Sequence, residues 1–392
     1  MKLVKGELIA TGAELVAAPA VLDLAVGTLS RLPAVRAGAG AGQAVTDFLA
    51  GLRAPVETEI RALITTLANP LRIGTLHYAL GEESLTRAIL AWGPETGADA
   101  VLMVSRAEDW AIRTVGADEL SDTVASVLLQ DIPLSPMSLQ KALSPDAALV
   151  FLAALHALRA GRLQALLTHD LAPVAFTPGA IAETLENVAE EDFRWPFLFL
   201  DKVLPFSLNG LDWEARIPPA LVSLADRGLV ERVKRSKTTW MLTPLGYQLA
   251  VADAQHLTKV GLRVTATTDE DLKGHEAFFF LRSVQDVVMY DLGGREAVIA
   301  SLAFEDLRTL LTAVLTPPAK ALAGGDPKPA SAATCGTCGH ALAPGAKFCP
   351  ACGGKVAPVV VGGGDTCASC GAALVAGAKF CAACGAKVGG GS

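Results

Sequence analysis

All eight cysteines of this 392-residue chain lie beyond residue 334, in two stretches that repeat each other: TCGTCGHALAPGAKFCPACGGKV and TCASCGAALVAGAKFCAACGAKV. Cys335 and Cys338 are separated by ten residues from Cys349 and Cys352, and Cys367 and Cys370 stand in the same way before Cys381 and Cys384. The offset between the copies is 32 residues throughout, and fifteen of twenty-two positions are identical between 335–356 and 367–388. The tail is an internal duplication built around thiol pairs.

The spacing has a chemical cause. A C-x-x-C turn sets two sulfurs on one side of a tight knuckle, and two facing knuckles form the tetrahedral S4 cage that zinc prefers, with Zn–S about 2.3 Å. A glycine follows the second cysteine of every pair, and its freedom at positive φ lets the backbone aim N–H groups at the sulfurs. Phe348 and Phe380 precede the third cysteine of each unit as the centre of a very small core. So little apolar area predicts units that fold only with their metal. Four thiolates close the coordination sphere and leave no place for water, so two structural Zn²⁺ ions are expected and catalytic zinc is not. Iron in a rubredoxin-like site is the alternative metal, and disulfides are the alternative in an oxidising compartment. His340 reads as a surface residue, since four cysteines are already in register. The eight cysteines and the repeated GAKFC resemble the bacterial double zinc ribbon family, a likeness confined to the tail.

From Cys335 to Val388 there are four lysines, one aspartate (Asp365) and no arginine. Two zinc–tetrathiolate clusters offset those lysines, so the tail lacks the surplus of exposed cations that phosphate binding requires. A protein-binding tail is expected. The segments 317–334 and 357–366, rich in Pro, Ala and Gly, read as flexible tethers. Tethering raises the local concentration of the ribbons for any partner held near the body.

The formal charge of −7 argues against wholesale nucleic-acid coating. No run of about 18 apolar residues lacks a charge, so no membrane span is expected. The stretch LIATGAELVAAPAVLDLAVGTL, with Glu14 and Asp23, reads as one or two amphipathic helices, and MKLVKGELIA lacks the apolar core of a signal peptide. Thiols confined to metal-type pairs suit a reducing, cytoplasmic setting.

Residues 1–130 and 131–316 share an organisation. In the first, LTRAILAWG, DAVLMVSR and DWAIRTV precede the helical GADELSDTVASVLL; in the second, EAFFFLRSV, DVVMYDL and REAVIASL precede AFEDLRTLLTAVL. Each reads as three short strands and an amphipathic helix, with turn segments such as DLGGRE between strands. The expected class is therefore α+β: a helix-rich body with two small antiparallel βββα units, followed by two tethered zinc ribbons at 335–356 and 367–388.

Within the second half, IPPALVSLADRGLVERVKRSKTTWMLTPLGYQLAVADA resembles the second half of a winged-helix domain. A helix at about 217–227 ends at Gly228, a strand leads to the polar tip RSKTT, WMLT returns, and Pro244 opens another helix. FRWPFLFLDKVLP and LDWEAR are candidates for the preceding helices. As a DNA reader, the segment would place its helix in the major groove and Arg232, Lys234, Arg235 and Lys237 on the backbone. The helix offers no Asn or Gln for adenine and a single arginine for guanine, which favours protein contacts. The same helices, followed by a three-strand meander and a closing helix, are similar to chaperone-like proteins of ESX (type VII) secretion. That resemblance implies a non-enzymatic role in holding other proteins in the cytosol.

The sequence shows no P-loop, no dinucleotide-binding glycine motif and no H-E-x-x-H. His77, His156, His169, His256 and His275 are scattered, with His156 and His169 on or beside an apolar helix as packing or capping residues. The carboxylate runs Glu82–Glu83, Glu190–Glu191–Asp192 and Asp269–Glu270–Asp271 read as solvated turns. The expected function is a non-enzymatic zinc-binding adaptor or scaffold with protein partners. The alternative is a winged-helix DNA-binding regulator whose ribbons mediate assembly.

Overall fold

The computed structural model describes residues 1–33, 35, 40–80, 84–129, 133–186, 196–267 and 273–317. The chain divides into two units, Met1–Gly324 and Gly325–Ser392. The second unit, with all eight cysteines, lies outside the described residues, as do the three carboxylate runs.

The chain opens with β1 (Lys2–Val4) and β2 (Glu7–Thr11). The stretch from Leu8 that reads as helix is strand as far as Thr11, where a capping box makes the switch. Thr11 Oγ1 accepts the Glu14 N–H, and the Glu14 carboxylate accepts the Thr11 N–H. Next come α1 (Gly12–Val21), α2 (Ala41–Ala50) and α3 (Ala54–Ala68). The first meander is β3 (Arg72–Leu80), β4 (Ser84–Trp92), β5 (Ala100–Arg106) and β6 (Asp109–Val115), closed by α4 (Ala117–Leu129). β7 (Gln140–Leu143) runs into α5 (Pro145–Thr168), whose N-cap Ser144 accepts the Ala147 N–H. The middle segment is β8 (Ala175–Phe176), α6 (Pro178–Glu186), α7 (Pro196–Val203), α8 (Trp213–Asp226), β9 (Val230–Arg232), β10 (Trp240–Leu242) and α9 (Pro244–Ala254). The second meander is β11 (His256–Thr267), β12 (Lys273–Ser283), β13 (Val287–Asp291) and β14 (Ala297–Leu302), closed by α10 (Phe304–Leu315).

Both βββα units are present. Each carries one further strand, β3 or β11, ahead of the three visible in the sequence. These two strands pair with each other, antiparallel, from Arg72↔Ala266 to Leu80↔Thr258. The result is one eleven-stranded sheet in the order β1-β2-β6-β5-β4-β3-β11-β12-β13-β14-β7. Its halves are related by a pseudo-two-fold axis through the β3–β11 pair. Leu120, Val124 and Leu128 on α4 match Leu307, Leu311 and Leu315 on α10 turn for turn, and all six are buried.

The two faces are covered differently. On one, α4 and α10 lie against each other over Leu76, Leu90, Trp92, Val260, Leu262 and Phe280. On the other, α1–α3 bury Ile73, Ile89, Val101 and Ile112 of the first half, while α5–α9 bury Phe279, Leu281, Val288 and Ile299 of the second. Alternation along β3 sends Ile73 to one face and Leu76 to the other, as a pleat requires. Gly261 in β11 makes room for α7, because a Cβ there would stand 2.7 Å from Val203 Cγ2. α5 has the length and composition of a membrane span, with a mean hydropathy of 1.3 in its most apolar window. Here Ala147–Leu155 are buried on every side of it, so its apolar half is a core helix.

Each closing helix is capped from the opposite half. Arg72 of the first meander, stacked 5.3 Å over Trp92, donates from Nη2 to the Val314 carbonyl at the end of α10 (2.6 Å). Arg282 of the second donates from Nη2 to the Leu129 carbonyl at the end of α4 (3.5 Å). A cation at a helix C-terminus meets both the unpaired carbonyls and the negative end of the dipole.

The tightest backbone approach lies at Gly246 in the first turn of α9, where an added Cβ would overlap the Leu229 carbonyl oxygen. Gly246→Ala is expected to destabilise the protein by roughly 2–4 kcal/mol. Gly42→Ala, whose Cβ meets only Val21 Cγ2 at 3.8 Å, should change stability by about 0.5 kcal/mol or less and in the stabilising direction. Urea unfolding followed by tryptophan fluorescence separates the two; equal midpoints would contradict the packing described at α9.

Candidate functional site

β9 and β10 form the hairpin foreseen in the sequence, paired Arg232↔Trp240 and Val230↔Leu242, and β8 adds a third strand beside β10. Its tip is a fixed turn. The Ser236 N–H reaches the Val233 carbonyl at 3.0 Å, and Ser236 Oγ accepts the N–H groups of Thr238 and Thr239 at 3.3 and 2.9 Å. Arg235 sits within it at φ +66°. Lys234, Arg235 and Lys237 are exposed and point a cluster of cations at solvent. Arg232 differs from them: its guanidinium stacks 4.8 Å over the buried Trp240 ring and so belongs to the hairpin's own packing. Thr243 ties the hairpin to α9, accepting the Gly246 N–H and donating to the Gly228 carbonyl.

The helix expected at about 217–227 begins earlier, at Trp213. LDWEAR is thus the start of α8 rather than a separate helix. Asp212 Oδ1 accepts the Ala215 N–H as the N-cap, and Trp213 is buried with its indole N–H on the Leu208 carbonyl. Pro218 and Pro219 therefore lie inside the helix. FRWPFLFLDKVLP does supply a helix, α7. The buried side of α8 is Trp213, Ile217, Ala220, Leu221 and Leu224. Its outward side is Glu214, Ala215, Pro218, Pro219, Val222 and Asp226. Arg216 pairs with Asp146 of α5 at 2.9 Å and so fixes the helix on the body. That outward side sets small apolar groups between two carboxylates, which repel phosphate, and its exposed arginine, Arg227, stands only at the C-cap, so the face offers base edges little and suits an apolar protein surface.

Beneath the middle segment lies a group of buried charges that the sequence did not reveal. Arg159 Nη1 stands 3.8 Å from Asp253 Oδ2, and His256 Nδ1 is 2.8 Å from the Asp253 carbonyl oxygen. That carbonyl can only accept, so His256 carries its proton on Nδ1 and presents the Nε2 lone pair to the Lys259 ammonium beside it. Burial, then Lys259, push His256 down to about 4. Burial raises the Asp253 carboxyl, against the pull of Arg159 and Lys259. The cluster ties α5 and α9 to the start of β11. Spacing in the sequence carries no hint of it, because its members come from three elements.

The remaining histidines fall as structural residues. His156 sets its ring edge-on to Phe197 at 5.6 Å, and His169 caps α5 in the left-handed conformation. His275 Nδ1 lies 3.1 Å from Thr265 Oγ1 across the β11–β12 ladder. His77 is buried in β3, with burial, Arg87 and Lys202 holding it at about 4. A half-open cavity of about 360 Å³ lies between α9 and the 283–286 turn, lined by Met137, Tyr247, Gln248, Val251, Gln255 and Asp286 among others.

Comparison with known proteins places the tail first. Residues 335–385 match the double zinc ribbon family, and the span contains all eight cysteines. That family is a zinc-binding class, and the all-thiolate donor set of the tail fits the metal. No curated protein matches the chain. Among solved structures it is similar to the Mycobacterium tuberculosis type VII secretion system chaperone EspG5, described in complex with a PE25–PPE41 dimer. The identity is 12%, the TM-score 0.40, and the match covers 80% of this chain and 97% of that one.

His77 and His256 both titrate below the ordinary 6.5 in the folded chain. Between roughly pH 6.5 and pH 4 the unfolded chain therefore binds protons that the folded one refuses. Stability is full above that window and falls as pH drops through it, by up to about 3 kcal/mol for the buried His77. Thermal unfolding from pH 7 to 4.5 should show the loss, and His77→Gln should reduce it. An unchanged pH slope in the variant would mean that His77 is hydrated or charged in the folded state.

Proposed function

We propose that the protein is a non-enzymatic, cytoplasmic adaptor that holds other proteins, with two zinc ions as structural parts of its tail. The observation that carries this reading is the outward face of α8. In a segment that runs α5-β8-α6-α7-α8-β9-β10, the order of a winged helix with one helix added, the helix that would read bases instead displays Ala215, Pro218, Pro219 and Val222, flanked by Glu214 and Asp226. The exposed cations Lys234, Arg235 and Lys237 are held on a separate, fixed turn. Apolar contact at the helix and charge at the hairpin suit a protein partner, with the charges setting orientation and encounter rate.

The donor chemistry of the tail supports the same reading. Four thiolates per ion complete a tetrahedron, so each zinc holds a knuckle surface in shape and has no position left for a substrate. Cys335, Cys338, Cys349 and Cys352 would hold one ion, and Cys367, Cys370, Cys381 and Cys384 the other. The resemblance of the body's sequence pattern to secretion-associated chaperones supports client holding as the adaptor's task.

Metal analysis of protein purified under reducing conditions is expected to find about two zinc ions per chain. Affinity capture from lysate with the full chain should retain a protein, and Val222→Glu should lose it without a change in circular dichroism. The reading is abandoned if the chain retains no protein and instead binds a specific duplex at physiological salt in a way that weakens on Lys234→Ala or Arg235→Ala.

A further inference from the structure

Five of the fifteen large apolar side chains that stand exposed among the described residues fall between positions 163 and 174. Leu163 is 47% exposed, Leu166 73%, Leu167 78%, Leu171 96% and Val174 71%, while the other ten are distributed over the rest of the chain. This end of α5 contrasts with its beginning, where Ala147–Leu155 are buried all round. Leu163, Leu166 and Leu167 stand at i, i+3 and i+4, so they form one stripe.

The shape is held in place. His169 turns the chain in the left-handed conformation, and the Asp170 N–H still reaches the Ala165 carbonyl at 2.9 Å. The returning loop lies so close to the helix at Gly161 that an added Cβ would stand 2.7 Å from Pro173 Cγ. Leu171 and Val174 are therefore presented beside the helix end by packing. Arg162 marks the N-terminal side of the stripe and is braced by stacking 5.5 Å over Tyr247 of α9. Asp170 marks the C-terminal side and is exposed. Between them the outward positions include Gln164 and Thr168, which are uncharged.

We propose that this face joins two copies of the chain, the α5 ends packing antiparallel about a two-fold axis near Leu166. The charges carry the choice of occupant. Opposite ends of the stripe bear opposite signs, Arg162 within α5 and Asp170 just past its C-cap, so an antiparallel copy brings Arg162 towards the other copy's Asp170, and the axis makes that pair twice. A two-fold interface must be complementary to itself, and an apolar stripe with Arg at one end and Asp at the other meets that condition. A partner of uniform charge would meet one of these ends with like charge. The inference is independent of the adaptor reading, which rests on α8.

The test is sedimentation of the full chain from about 1 to about 100 µM, the range in which a small interface of this kind associates. A mass rising to that of a dimer is expected. L166E and L167E should each give monomer throughout with unchanged circular dichroism, since both side chains stand in solvent. R162E or D170R alone should weaken association by about tenfold, and the R162E/D170R pair should recover most of it. A parent that remains monomeric overturns the proposal, as does a dimer indifferent to L166E. A double charge reversal no better than the singles overturns the antiparallel register. A monomeric parent whose L166E variant loses a captured foreign protein assigns the face to that protein instead.

Discussion

The antiparallel pairing of β3 with β11 holds the two halves of the body in one sheet. Nine residues of each strand are in register, and they come from segments far apart in the chain. Closing so long a loop is entropically costly, and the return has to come from burial on both sides of the joint. That burial is present: Leu76 and Leu262 face α4 and α10, while Gly261 admits α7 on the opposite face. The reciprocal contacts of Arg72 with α10 and Arg282 with α4 add a condition, because each closing helix ends on a cation from the other half. Neither half completes its own cap. With the joint made, the sheet has edges only at β1 and β7, and both are short, which limits edge-to-edge association of the sheet.

Symmetry ends at the other face. The first half covers it with α1–α3, and the second with the larger group α5–α9. The extra helices carry the hairpin, the α8 face and the exposed end of α5, so the features that offer themselves to other molecules sit on the elaborated half. The buried group of Arg159, Asp253, His256 and Lys259 anchors this elaboration where α9 turns into β11. Buried charges are costly unless paired, and truncating one partner leaves the others stranded. Their contacts link α5 and α9 to the start of β11.

Much of this was legible in the sequence. The strands of each half beyond the first, their closing helices, the hairpin and the eight thiols all announce themselves by alternation, helical spacing or repeat. The central strands β3 and β11 did not. RIGTLHYAL and HLTKVGLRVTAT mix Arg72, His77, His256, Lys259 and Arg263 into central strands whose two faces are both covered. Arg72 and Arg263 meet the Val314 and Leu204 carbonyls only in the folded chain, so alternation does not mark these strands. β2 was hidden because ELIAT runs directly into an apolar helix, and only the Thr11–Glu14 capping box divides them. The start of α8 lay four residues before the expected one, because Asp212 caps the helix and Pro218 and Pro219 lie inside it. The basic tip was placed correctly, yet the sequence did not show that Arg232 is engaged with Trp240.

The two units rest on different physics, and this has a practical consequence. The body contains no cysteine and is held by three apolar clusters, so thiol oxidation has no target in it. The tail concentrates every thiol, and with so little apolar content its fold is expected to depend on metal. On that expectation, loss of zinc changes the tail and leaves α8, the hairpin and the α5 end in place. A partner that needs both units would be released by metal loss or thiol oxidation, whereas one held by the body alone would stay. The segregation of the cysteines thus confines thiol chemistry to the tail.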